Sequence, residues 1–170
     1  YGEVLRERVF APLGMKTARV ISEEDILLNR AAGYRLLGDI LKNQEWVAPR
    51  LNTTADGSLY LSLDDWLRWE QALRQRALLK PDSWQQVFTP VQLNSGRTYP
   101  YGFGWDLHDG RGPATYQHSG AWQGFTTAYL HAIDADLSVI VLTNLADAEP
   151  VRMARRVAAV YLPELKPPAL

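Results

Sequence analysis

The chain has 170 residues, with 18 lysines and arginines against 19 aspartates and glutamates, for a formal net charge of -1. That length allows one domain with a real core, and a near-neutral balance without long charge blocks argues against a nucleic-acid partner. No apolar run approaches the roughly 20 residues of a membrane-spanning helix, and the absence of cysteine excludes disulfides, thiolate metal sites and a cysteine nucleophile.

Residue 1 is Tyr, not Met, and already lies inside a helical pattern, so a piece of a longer chain is expected. "YGEVLRERVFAPLGM" reads as the end of an amphipathic helix. Val4, Leu5, Val9 and Phe10 can share one face, and Pro12 and Gly14 stop it. Within residues 16–57, "AAGYRLL" suggests a strand or extended stretch. "NTTADGSLY" reads as a loop, and its sequon Asn52-Thr53-Thr54 matters only in a glycosylating compartment. Ser62 and Asp65 make an S-x-x-D helix start, followed by an apolar stripe of Leu63, Trp66, Leu67 and Leu73. Asp64 and Asp65 look like an acid pair, but in a first turn they serve the helix dipole. Pro81 breaks this helix. A second short one is expected with Asp82 or Ser83 as cap and Trp84, Val87 and Phe88 inward.

After Pro90 the texture changes. "YPYGFGWDLH" is aromatic and glycine-rich. The cluster Tyr99, Tyr101, Phe103 and Trp105 either packs a sheet or, through Tyr99 or Tyr101 together with Trp122, lines a cleft. "GFTTAYLHAI" alternates, with Phe125, Thr127, Tyr129 and His131 on one side. "LSVIVLTNL" is apolar on both faces. A meander of three antiparallel strands is expected, then a helix from Pro150 carrying Val151, Ala154, Ala158 and Tyr161 on one stripe. The class is α+β. Residues 1–90 form a helical region with loops. Residues 91–170 form the C-terminal part of an antiparallel sheet plus a terminal helix, the whole being one compact unit. One helix covers only one face of such a sheet, which therefore looks unfinished.

Catalytic patterns are mostly missing. The three histidines make no H-x-x-x-H or H-E-x-x-H pair, no serine is followed three positions later by lysine, and G-x-S-x-G and a Walker loop do not occur. No metal or organic cofactor is implied. His118-Ser119-Gly120 reads either as a turn that happens to hold a histidine or as one wall of a site.

The order of "VFAPLGM", "DGSLYLSLDDWLRWEQAL", "YGFGW", "HSGAWQGFTTAYL" and "LSVIVLTNL" resembles the C-terminal half of the serine β-lactamase-like family. That group holds class C β-lactamases, D-alanyl-D-alanine carboxypeptidases, D-aminopeptidases and esterases. The resemblance covers Tyr1 to about Leu162. The family builds its site from S-x-x-K, from Y-x-N or S-x-N, and from K-T-G or H-[ST]-G on a strand at the cleft edge. Only the third matches here, at His118-Ser119-Gly120. The resemblance implies that the first two lie upstream and that the missing N-terminal half supplies two further strands.

It also implies site roles. His118 offers a polar or cationic group near the proton path and the substrate carboxylate. Ser119 hydrogen-bonds the substrate. Gly120 lets it approach the backbone, and Ala121 supplies an oxyanion N–H. Tyr101 and Trp122 contact a small-molecule or peptide-like substrate. The parent is then an acyl-enzyme serine hydrolase of the periplasm or cell envelope, with this chain inactive alone. The rival readings are a non-catalytic peptide- or glycan-binding module of the same fold and a scaffold without a small-molecule site. Open sheet edges and uncovered faces would favour self-association.

Overall fold

The computed structural model describes residues 1–22, 24–44, 58–108 and 112–168. The sequon at Asn52 and most of the loop expected around it lie outside these residues. Among the described residues no helix is long and apolar enough to cross a membrane.

The first helix starts as α1 (Gly2–Leu5), passes through a π-helical stretch (Arg6–Phe10) and ends as α2 (Ala11–Leu13), where Gly14 takes a left-handed φ of 67°. The wider π turn rotates the stripe expected from strict 3.6 spacing. Phe10 is buried, but Val4 faces solvent. Then come β1 (Arg19–Val20), β2 (Tyr34–Leu37), β3 (Ile40–Asn43) and β4 (Leu59–Tyr60); β1 pairs with β4, and β2 with β3 in a hairpin. The strand reading of "AAGYRLL" therefore holds for its second half.

Helix α3 (Leu63–Arg74) starts where expected, with the Ser62 hydroxyl accepting the Asp65 N–H at 3.2 Å. Its inward face differs from the expected stripe. Leu63 and Leu67 are exposed, and Trp66, Trp69 and Leu73 pack inward beside buried Glu70. The two acids also part. Asp64 is exposed, whereas Asp65 is buried and accepts the Thr17 N–H at 3.2 Å and the Thr17 hydroxyl, tying α3 to the segment after α2. Helix α3 ends at Arg74, before Pro81, which instead opens helix α4 (Pro81–Val87); Lys80, not Asp82 or Ser83, holds the N-cap position, with no side-chain capping bond, because Pro81 at the first position needs no N–H partner. Its Trp84 is buried, with Val87 and Phe88 beside it.

A small ladder joins β5 (Val91–Gln92) to β6 (Thr98–Tyr99). The main sheet is an antiparallel meander of β7 (Asp106–His108), β8 (Thr115–Trp122), β9 (Phe125–Ala132) and β10 (Leu137–Thr143), in the order β10-β9-β8-β7. The three expected strands are present, and β7 adds a fourth. At three residues it is too short to leave a readable alternation. Helix α5 (Pro150–Ala158) covers one face, where Ala154 and Ala158 meet Ala128, Leu130, Ala132 and Val139. Tyr161 lies past the end of the helix and faces solvent instead of extending its stripe.

The sheet is not bare on its other face, as one terminal helix had implied. Leu73, Trp84, Trp105, Tyr116 and Tyr129 form a second core there, joined by Trp66, Trp69 and Phe88. The helical region and the sheet thus share one interior, and Trp66 stacks on Tyr129 with ring centres 5.6 Å apart.

Candidate active site on the edge of β8

His118-Ser119-Gly120 lies in mid-strand, and the turn comes later. Gln123 and Gly124 have φ of 48° and 83°, a two-residue turn with both central residues left-handed, and Trp122 faces Phe125 across it. The register follows as His118↔Tyr129, Ser119↔Ala128, Gly120↔Thr127 and Ala121↔Thr126. The pair closing such a hairpin is hydrogen-bonded, and bonded pairs alternate along an antiparallel ladder. The main-chain groups of Trp122, Gly120 and His118 therefore turn toward β9. Those of Ala121 and Ser119 turn outward.

What they meet depends on β7, whose pairing begins at Asp106↔Gln117 and runs to His108↔Thr115. Beyond Gln117 no described strand pairs with the outer side of β8. The chain before Asp106 does not continue the ladder: Gly104 holds a left-handed φ of 81°, outside the extended region that regular pairing needs. An open edge results along His118–Trp122, with exposed Ser119 and Ala121 aiming N–H and C=O groups into it.

Side chains alternate across this strand. His118, Gly120 and Trp122 share the face of the aromatic core, opposite Tyr129, Thr127 and Phe125. Ser119 and Ala121 share the α5 face, where a cavity of about 60 Å³ is lined by Ser119, Gln117, Asp106, Val151 and Ala154 among others. On that face Arg155 donates to the Gln117 side chain at 3.2 Å. The structure thus brings His118, Gly120 and Trp122 together and sends the Ser119 side chain the other way. Only the main chain of Ser119 shares the open edge.

His118 has both ring nitrogens engaged. Nδ1 lies 2.7 Å from the Ser119 carbonyl oxygen, and Nε2 lies 2.9 Å from the Tyr101 hydroxyl. The Tyr101 and His118 rings meet edge to face, with centres 5.9 Å apart and planes at 67°. The aromatic cluster read from the sequence divides accordingly. Trp105 is buried in the core, Tyr99 and Phe103 are exposed, and Tyr101 alone reaches His118. Trp122 is half-buried beside the turn, and its Nε1 has no partner among the described residues. Gly120 has a structural reason the sequence did not reveal. A Cβ there would lie 2.8 Å from Thr127 Oγ1, so the cross-strand neighbour already fills that space.

Behind the site lies a polar network that sequence reasoning missed. Buried Glu70 accepts from the Tyr129 hydroxyl through one carboxylate oxygen and from the Ser138 hydroxyl through the other, each at 2.5 Å. Having given its proton to Glu70, Ser138 accepts from His131 Nδ1 at 2.7 Å. Burial holds the His131 imidazolium unfavourable and lowers its pKa, against the pull of Glu70. Burial and the bond to Glu70 push the Tyr129 phenol upward, and burial raises Tyr116 as well. The only trace of this in the sequence is a lone Glu on the inward face of α3.

The family model for Beta-lactamase matches residues 1–162. D-aminopeptidase of Brucella canis is 30% identical over 166 residues, covering 97% of this chain and 32% of that protein. The chain thus spans about a third of the length of the curated relatives it matches. The octameric penicillin-binding protein homologue of Pyrococcus abyssi superposes with a TM-score of 0.76 at 22% identity, covering 95% of this chain and 37% of that one. The D-amino acid amidase of Ochrobactrum anthropi SV3, solved with D-phenylalanine, gives 0.64 at 23% identity, over 84% and 44%. With four-fifths or more of its length on that fold and nearly all of it under the family model, the chain belongs to the Beta-lactamase family.

Proposed function

We propose that this chain is one wall of a serine acyl-transfer site that hydrolyses an amide or peptide bond next to a D-amino residue. The observation that carries this is the outward-facing main chain of Ser119 and Ala121 on an edge left open just where β7 stops. An extended, peptide-like substrate adds to such an edge as a further strand. The Ala121 N–H then donates to the oxyanion of the tetrahedral intermediate. The nucleophilic serine, its own N–H as second donor, and the proton-transferring groups come from S-x-x-K and Y-x-N motifs outside this chain. The D-amino preference is taken from the D-aminopeptidases and the D-amino acid amidase it resembles.

The test compares the 170-residue chain with a longer one that includes the coding sequence preceding Tyr1. D-alanine p-nitroanilide hydrolysis and labelling by a fluorophosphonate are the readouts. The short chain is expected to do neither and the long chain both. Ala121→Pro in the long chain removes one N–H from an edge where proline is tolerated, and kcat should fall by about 10²–10³-fold. Hydrolysis by the short chain, or a long chain with no labelled serine, defeats the reading. The second outcome favours a peptide-binding module.

A further inference from the structure

We propose that Tyr101 and His118 act as one hydrogen-bonded unit that offers a phenolic oxygen, not an imidazole N–H, to the open edge, so that this position selects a substrate amine or amide N–H over a carboxylate. The inference rests on the acyl-transfer reading and adds a specificity determinant to it.

Proton counting carries the argument. The Ser119 carbonyl oxygen can only accept, so His118 Nδ1, 2.7 Å away, is the nitrogen that bears hydrogen. In the neutral ring Nε2 is then a lone pair, and at 2.9 Å it accepts from the Tyr101 hydroxyl. No N–H of His118 remains to offer. Tyr101 keeps its oxygen lone pairs, and giving its proton to the ring makes that oxygen a stronger acceptor. The pair offers a carboxylate no side-chain donor, whereas an ammonium or amide N–H finds an acceptor on it. A lysine at this position, as in K-T-G, would present three donors and reverse the preference.

The experiment uses the longer chain and three forms of D-alanine p-nitroanilide: free amine, N-acetyl and N-succinyl. The free amine should exceed the succinyl form in kcat/KM by at least about tenfold. Tyr101→Phe keeps the ring and removes the hydroxyl, and it should bring the ratio to within about threefold, while His118→Lys should turn it toward the succinyl form. A succinyl form that is equal or preferred in the unaltered enzyme overturns the proposal, as does a ratio unmoved by Tyr101→Phe. If no form is hydrolysed and no serine is labelled, the acyl-transfer reading has failed instead. Nitrogen-15 NMR of the 170-residue chain then decides the unit alone. Neutral His118 as the Nδ1–H tautomer supports it, and the Nε2–H tautomer overturns it.

Discussion

The two faces of the main sheet are held by different physics. Under α5 the contacts are small and aliphatic: Ala154 and Ala158 let the helix approach Ala128, Leu130 and Ala132 closely. Under α3 they are large and amphipathic: Trp84, Trp105, Tyr116 and Tyr129 pack together, with Tyr129 bonded to the Glu70 carboxylate and Tyr116 stacked on the His131 ring. The first face depends on volume. The second depends on volume and on every hydroxyl finding its partner. The site strand β8 lies between them, so the open edge rests on one side that tolerates reshaping and one that does not.

The largest expected effect is on the α5 side. Leu130 is 1% exposed, and Leu130→Ala should cost about 2–5 kcal/mol in urea unfolding, while the volume-conserving Leu130→Met should cost less than about 1.5 kcal/mol. On the α3 side an equally conservative change should not be mild. Tyr129→Phe keeps the ring but leaves one oxygen of buried Glu70 without its donor, at about 1–3 kcal/mol. If Leu130→Met proves as costly as Tyr129→Phe, the contrast between the faces collapses.

The smallest and most specific difference concerns pH. The groups around the His131 ring are Glu70 and Arg74 from α3, Asp136 from the turn before β10, and Tyr116 stacked on it from β8. Burial dominates and lowers its pKa. The unfolded chain takes up this proton near about pH 6.5 and the folded chain resists it until lower pH. Stability is therefore full above that value and declines as the pH falls below it. His131→Gln should flatten the part of the urea midpoint's slope between about pH 7 and 5 that this ring contributes.

Much of this fold is legible in the sequence because its signals are local. The Ser62 cap, Pro150 and the alternation of β9 each act within a few residues, and the order of motifs along the chain points to the family. What stayed hidden acts at a distance. The inward face of α3 could not be read from hydrophobicity, because Glu70 is buried only by virtue of Tyr129 and Ser138, 59 and 68 residues away. Strand β7 is too short to show a period, and the second face of the sheet is covered by helices that precede it in the chain. Within the site, His118, Gly120 and Trp122 do come to one face, while Tyr101 joins them through a contact 17 residues apart. The opposite orientation of the Ser119 side chain follows from strand alternation and was available from the sequence once a strand was chosen over a turn.

The length of the opening is written in a dihedral angle. Were the chain before Asp106 able to remain extended, Trp105 would fall opposite His118 and Gly104 opposite Ser119, and the groove would be sealed by the protein's own backbone. The left-handed Gly104 prevents this and turns Trp105 into the core. A branched residue at 104, unable to hold that angle, would be driven toward the extended region and would lengthen β7 along β8. Access to the edge proposed to take the substrate would then be lost without any change on β8 itself. Related chains that differ at this single position are therefore expected to differ in how long a substrate they admit.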